Sequence, residues 1–501
     1  MNPANRQDTQ NAPHTGLARV LGPRIATAIV VGTVIGSGIF FKPGTIAANV
    51  GDFRTIIGVW LFGGLLCLLG ALCFSELATM FPEAGGIYVY LRESYGRLTA
   101  FLFGWCEFLF SKPASIGALA VAFVGSLSLV VSDLDSNGEG LSSAMQVVVV
   151  AGLILGLAAI NILGVIWGGR LQMAITVVKA ANLALVAMLP VGFLIAGYPT
   201  MSLANFASRI EPQQTTLAAQ VGTALLAVMW AYHGWHGITP MAEEIRDPQR
   251  NLPRAIFLGI GILIVLYVSA NVAYHGALPM QSLADAADHG AERMLQQVLQ
   301  TVFGPDGGQR GAAIMSAVIM CSTFGAINSN LLEAPRISFA MGRDRVFFNV
   351  LGRVHPEFRT PAIAIGVTAI MSVATVMLGA FGKFWAQDLI VSPDASHLTV
   401  KVLENLKQGS LFTLLTNFVV FVSNVFYALG VLAVMLLRRK MPHAVRPYRT
   451  WGYPYVPVLY LLISAWFLVQ VFRSNPLESI AGVGLMAIGI PVYWLFQRSQ
   501  H

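Results

Sequence analysis

The sequence predicts an all-α polytopic membrane protein with twelve transmembrane helices, ten of them forming two five-helix halves of inverted topology. Three observations predict it. The 501-residue chain is 55% hydrophobic and 11% charged, with a mean hydropathy of +0.67, whereas a soluble domain carries about 25% charged residues. Twelve apolar stretches reach the ~20 residues needed to cross a bilayer. The first and the sixth of them, five spans apart, are interrupted by glycine. Interrupted segments at corresponding places of two halves point to a transporter built from inverted repeats, with its site at the interruptions.

The elements follow in order. The opening residues, "MNPANRQDTQNAPHTGLARV", are polar and hold no apolar h-region, so residues 1–24 are expected to be a cytoplasmic tail and not a cleaved signal peptide. The spans are 25–50, 55–80, 98–130, 142–164, 169–197, 217–240, 253–279, 310–342, 361–381, 411–437, 455–472 and 477–497. Those longer than 25 residues are expected to tilt or bend. Basic residues orient them. With the N-terminus in the cytoplasm, the inside segments, taken with Arg170 and Arg254 at the span edges, hold 19 of the 31 Lys and Arg; eight, with Arg310 at a span edge, fall outside and four within spans. Both termini are then cytoplasmic, as in a plasma-membrane protein. The inner segment 81–97 is amphipathic and tyrosine-rich, and is expected at the membrane interface. The outer segments are "SDLDSNGEG" (132–140), a helical-looking 280–309, and a long 382–409 with no assigned purpose. The four cysteines lie in apolar spans and read as small core residues, not as disulfides or metal ligands.

In the first span, "GTVIGSGIF" (32–40) places Gly32, Gly36 and Gly38 where a helix should be strongest, and each glycine costs about 1 kcal/mol relative to alanine. Such small residues also serve close helix packing. The sixth span carries a second break, "HGWHGITP" (233–240), which favours binding. Backbone groups freed inside the bilayer must face protein or a wet cavity. A half-helix N-terminus attracts an anion and a half-helix C-terminus a cation. Two adjacent breaks therefore suit a zwitterion such as an α-amino acid, with "GSG" and the Ser37 hydroxyl on its carboxylate. Carbonyls near Val34 and near Trp230 to His233 would take its ammonium.

Several stretches together resemble the amino acid–polyamine–organocation (APC) transporters, in the form seen in bacterial relatives of the L-type amino acid exchangers. They are "TVIGSGIF", "FSELATMFPEAGGIYVYLRESYGRLTAFLFGW" (74–105), "WAYHGWHGITPMAEEIRDPQRNLPRAI" (230–256), "NSNLLEAPRISFAMGRDRVF" (328–347) and "RPYRTWGYPYVP" (446–457). The resemblance runs from about residue 20 to 495. It implies the LeuT-type fold of 5+5 inverted repeats, here 25–197 and 217–437, with two additional helices in 455–497. It implies alternating-access, sodium-independent exchange or uptake of neutral amino acids. A proton-coupled amino acid or amine symporter is the alternative, and a non-transporting amino acid sensor belongs to a different class. Carried over by position, the substrate-binding residues are Thr33, Val34, Gly36, Ser37, Gly38, Trp230, Ala231, His233 and Gly234. Trp230 falls where L-type relatives often close an aromatic over the substrate, and His233 stands where a small residue is common. Eukaryotic L-type members join a heavy chain through a cysteine in the outer loop after the third helix. "SDLDSNGEG" has none, so no disulfide-linked partner is expected and the chain is expected to act as a monomer.

Charged residues inside spans are functional candidates. Lys179 lies about 15 Å inside the fifth helix at 1.5 Å per residue. The resemblance makes its ammonium a substitute for the sodium ion that bridges the first and eighth helices in coupled relatives. A static clamp is favoured over a proton carrier. Glu107 and Lys112, five apart, are expected on different faces. The resemblance places Lys112, in "SKPAS" (111–115), in a part of the third helix that can line the pocket in L-type relatives; it either biases selectivity or, the favoured reading, forms a salt bridge elsewhere. Glu76, Glu243 and Glu244 are expected to pair with arginines such as Arg92 or Arg246, and Glu333 with Arg336. His233 and His236 have ligand-like spacing, but the first break offers no carboxylate or amide for a metal. No P-loop, G-x-S-x-G or H-E-x-x-H supports an enzyme or a cofactor. No basic patch with interleaved aromatics supports nucleic-acid binding. A channel would need polar residues along one continuous path.

Overall fold

Runs of twenty apolar residues can pair their backbone in a bilayer only as helices or closed barrels. In the computed structural model, all twelve stretches are helical. The structure describes residues 17–134, 140–214, 216–388 and 411–498. The first span is α1 (Pro23–Val34) and α2 (Gly38–Val50), the second α3 (Phe53–Met80). A short α4 (Ile87–Tyr95) leads into the third span, α5 (Arg97–Cys106) and α6 (Lys112–Leu134), joined by a π-helical turn at Glu107–Ser111. Then come α7 (Ser143–Ile162), α8 (Val165–Ile195) and a one-turn α9 (Leu203–Ala207). The sixth span supplies α10 (Leu217–Ala231), the seventh α11 (Pro248–Ala277). Two outer helices, α12 (Met280–Asp285) and α13 (Gly290–Phe303), precede α14 (Pro305–Arg343). The last four spans are α15 (Ala362–Asp388), α16 (Leu411–Lys440), α17 (Tyr455–Ser474) and α18 (Pro476–Arg498).

Among the described residues, eleven helical segments are long and apolar enough to span a membrane, and the twelfth, α10, is shorter. The expected span 217–240 is helical only to Ala231, because the chain turns at Gly234 with φ +94° and re-forms as a 3-10 helix at Thr239–Glu244. Helix α15 extends to Asp388, seven residues past the expected end; 389–410 of the long outer segment and 135–139 of "SDLDSNGEG" lie outside the described residues. So do residues 1–16 of the tail.

Polarity is inverted relative to a soluble helix. On α8, Gln172, Thr176, Lys179 and Leu183 are buried at helical spacing, while Val177, Leu185 and Met188 are exposed. The apolar face meets lipid and the polar face meets protein. Around the centre, α1 packs on α8 and α11, α2 on α10, and α6 on α14.

Four sequence expectations are corrected. Segment 81–97 is packed into the protein rather than laid across its surface. Gly85 and Gly86, both at positive φ, turn the chain inward, and α4 buries Tyr88 and Tyr90 completely. Its Arg92 is held by Asp344 at 2.7 Å, with Glu83 and Glu93 beside it. The cytoplasmic glutamates choose other arginines than Arg92 and Arg246: Glu76 pairs with Arg438 (2.7 Å) and Arg446 (3.2 Å), Glu244 with Arg336 (2.8 Å), Glu243 with Arg343 (2.7 Å). Glu333 pairs with Lys112 and not with Arg336. Glu107 and Lys112 share a face, because the π-turn hydrogen-bonds the Lys112 N–H to the Glu107 carbonyl and brings i and i+5 together. Local spacing cannot foresee these pairings, since each is made between elements or across a non-α turn.

Candidate functional site

The three residues Ile35–Ser37 between α1 and α2 are not helical, and they leave carbonyls at the end of α1 without intrahelical donors. Side chains from three neighbouring helices meet them. The Lys179 Nζ of α8 donates to the Gly32 carbonyl at 2.7 Å. The Tyr267 hydroxyl of α11 lies 2.9 Å from the Val34 carbonyl and 3.0 Å from the Ala231 carbonyl, so the C-terminal ends of α1 and α10 converge on one hydroxyl. The Ser322 hydroxyl of α14 lies 3.1 Å from the Ile35 carbonyl and 3.0 Å from that of Gly36. Gly36 and Ser37 precede the start of α2, and among the described residues no carbonyl accepts from their N–H groups. Each of these carbonyls thus has a partner and keeps a second lone pair, while the Gly36 and Ser37 N–H groups remain available donors.

The second break stands against the first. A Cβ built on Gly38 would fall 2.5 Å from Ala231 Cα and 3.0 Å from its nitrogen, so glycine permits this backbone crossing. Gly234 is equally tight, its absent Cβ lying 2.5 Å from Thr33 Cγ2. Above the crossing the Trp230 and His233 rings stack at 5.9 Å with a 9° interplanar angle, and the Trp230 indole N–H reaches Ser37 Oγ at 3.4 Å. Phe412 of α16 meets Trp230 edge-on at 5.9 Å.

Between the breaks lies a small, nearly closed cavity of about 20 Å³, room for roughly one water molecule. It is lined by Thr33, Val34, Gly36, Ser37, Gly38, Trp230 and His233, together with Ser115 and Leu119 of α6 and Asn330 of α14. Seven of the nine residues expected from the sequence line it. The other two, Ala231 and Gly234, sit behind the wall as the backbone against which Gly38 and Thr33 pack. Lys179 is also behind the wall, clamping Gly32. Sequence reasoning reached Ser115 only as part of "SKPAS" and missed Asn330, Leu119, Tyr267 and Ser322. An asparagine inside an apolar span was a signal for Asn330. Nothing local marks Tyr267, whose role exists only where two breaks meet.

A family model described as amino acid permease matches residues 21–496. Over 481 residues the chain is 30% identical to the serine/threonine exchanger SteT of Bacillus subtilis (strain 168), covering 96% of this chain and 97% of that one. Over 490 residues it is 30% identical to the human large neutral amino acids transporter small subunit 2, covering 97% and 82%. It is 27% identical over 484 residues to the mouse b(0,+)-type amino acid transporter 1, covering 96% and 88%. Among solved structures it is similar to Mhp1, a nucleobase-cation-symport-1 family transporter in a closed conformation with bromovinylhydantoin bound, with a TM-score of 0.50, 15% identity and coverage of 97% and 99%. That likeness concerns the fold alone: the LeuT-type arrangement of two inverted five-helix repeats and two additional helices.

Proposed function

The chain belongs to the amino acid permease family, and from that membership we propose that it exchanges small neutral amino acids across the membrane without sodium. It is a multi-pass membrane protein that transports amino acids and is not an enzyme. The observation that carries the finer reading is the cavity between the two breaks. The free N–H groups of Gly36 and Ser37, with the Ser37 hydroxyl, take the substrate carboxylate at the positive end of α2. The carbonyls at the ends of α1 and α10, from Val34 and from Trp230 to His233, take its ammonium. The cavity is nearly closed, at about 20 Å³, and Trp230 and His233 crowd it. This favours a small side chain. The Bacillus relative named a serine/threonine exchanger supports the same class. The Lys179 ammonium on the Gly32 carbonyl puts a fixed positive charge where a sodium ion would otherwise join α1 to α14.

In this reading residues 25–197 and 217–437 are the two repeats that move against each other, 455–497 the additional pair and 1–24 a cytoplasmic tail. The chain works in the plasma membrane as a monomer with both termini inside. It needs no disulfide-linked heavy chain: Cys67, Cys73, Cys106 and Cys321 are free and lie on helices within the membrane.

The test is uptake of labelled amino acids into proteoliposomes, with and without unlabelled amino acid inside, in sodium or choline buffer. Uptake of glycine, alanine, serine or threonine that needs internal amino acid and ignores sodium is the expected result. Sodium dependence would remove the role given to Lys179, and no saturable uptake of any amino acid would remove the zwitterion site. Two glycine variants refine it. G38A drives a Cβ into Ala231 backbone; such overpacking costs about 1–3 kcal/mol, so exchange is expected to fall about tenfold or more. G36A brings its Cβ to 3.2 Å from the Leu119 side chain, with Ala326 Cβ at 3.6 Å and the Val34 carbonyl at 3.9 Å in ordinary contact. It is expected to keep turnover and raise KM, most for the larger substrates. Equal loss in both would show that the Gly38–Ala231 crossing has no special role.

A further inference from the structure

One helical turn away from the cavity, the structure buries more charge than transport of a neutral amino acid requires. Lys112 and Glu333 form an ion pair with side-chain exposures of 3% and 0%. They lie three residues from the cavity-lining Ser115 and Asn330 respectively. Glu107, 4% exposed, is brought onto the same face by the π-turn and interacts electrostatically with both. Two carboxylates thus share one ammonium. If all three are ionised, one negative charge is left over in a dry interior, and a buried, uncompensated carboxylate takes up a proton.

The groups facing the cluster from its neighbours do not balance that charge. From the second break come His233 and His236. From α16 comes Tyr427, whose hydroxyl is 2.5 Å from His236 Nε2 and 3.4 Å from His233 Nδ1. Arg336, one turn along α14, is taken by Glu244. Helices α7 and, over 362–381, α15 carry no titratable side chain. A second observation points to a missing small ligand. Glu333 Oε2 is fully buried without a hydrogen-bond partner, as is His236 Nδ1. Glu333 Oε2 also lies directly against Gly237 of the break, in the space a Cβ would fill. Movement of the break therefore changes the surroundings of this oxygen directly.

We propose that Glu107, Glu333 and Lys112 form a proton-binding site coupled to the second break, holding one proton between the two carboxylates. The proton comes from water and converts a cluster of charge −1 to a neutral one; no other bond changes. The closed, dry arrangement around Gly237 needs the neutral form. Raising the pH withdraws the proton and disfavours that arrangement, so exchange falls as pH rises through the titration of the pair.

This rests on the exchange reading above, and the experiment separates the two. Exchange of whichever of glycine, L-alanine, L-serine or L-threonine is transported best is followed across a series of pH values in proteoliposomes. The wild-type rate is expected to fall with a slope approaching one proton, about tenfold per pH unit at its steepest. E107Q leaves Lys112 balanced by Glu333 alone, and E333Q leaves it balanced by Glu107 alone. Each is expected to keep exchange at alkaline pH and to flatten the profile, while E107D keeps the slope. Infrared difference spectra between acid and alkaline buffer, which report without transport, should show a protonated-carboxyl band in the wild type that E107Q lacks. A flat wild-type profile with intact exchange would overturn the proton site and leave the exchanger standing. The same slope in E107Q and E333Q would place the proton elsewhere, on an imidazole, and would also overturn it. Absence of any exchange in the wild type counts against the proposed function instead.

Discussion

K179A is expected to lower amino acid exchange by about one to two orders of magnitude while leaving the protein folded. Lys179 is 2% exposed and its ammonium donates to the Gly32 carbonyl at 2.7 Å. That carbonyl sits in the last turn of α1, at the negative end of the helix dipole, beside the wall of the cavity. A hydrogen bond to a charged group is worth about 1.5–3 kcal/mol, and each ~1.4 kcal/mol is a factor of ten in an equilibrium constant. Losing it lets the end of α1 relax, and Ile35–Ser37 no longer hold the geometry on which substrate binding depends. K179M separates charge from shape, since it fills the same space without the ammonium, and it is expected to fail as K179A does. The side chain runs along α14, where an alanine at Gly325 would bring a Cβ to 3.0 Å from the lysine Cδ. Exchange by K179M within about twofold of the wild type, measured in proteoliposomes at matched protein content, would show that packing and not charge holds the break.

R336A is expected to cause the largest loss of stability. Arg336 and Glu244 are both completely buried, and their pair is bidentate, with Nε at 2.8 Å and Nη2 at 3.1 Å from the two carboxylate oxygens. Removing one partner of a buried pair strands the other charge and costs about 3–5 kcal/mol. It also frees the 3-10 helix Thr239–Glu244 from α14 just after the second break. The expected readout is a lower midpoint for thermal loss of the monodisperse peak in detergent, with reduced yield. The double variant E244L/R336L should recover much of the loss, because replacing a whole buried pair by apolar groups is often neutral. R343A is the control: Arg343 is 48% exposed, and its pair with Glu243 belongs to the class worth about 0–1 kcal/mol. Equal effects of R336A and R343A would mean that the buried pair is not what closes this end of the molecule.

The legible part of the site was the part written in backbone chemistry. Glycines clustered in an apolar run have few explanations, so "GTVIGSG" and "HGWHGITP" pointed to two breaks, and the structure brings both to one cavity. Pairings of side chains were legible only where the partners lie on one regular helix, and here they do not. Glu76 finds Arg438 and Arg446 more than 360 residues away. Glu333 finds Lys112 across two helices. The tyrosines of α4 looked amphipathic, and the turn at Gly85 and Gly86 took them into the core.

The sequence by itself determined the membrane class, the number of spans and the places where helices fail, because each depends on local hydropathy and backbone conformation. It also marked Lys179 as costly and therefore purposeful. Only the tertiary structure decided which carbonyl Lys179 holds and that Tyr267 joins the ends of α1 and α10. It alone decided that a π-turn sets Glu107 beside Lys112 and Glu333. These are contacts between elements far apart in the chain, and their partners are chosen by packing geometry that no local pattern encodes.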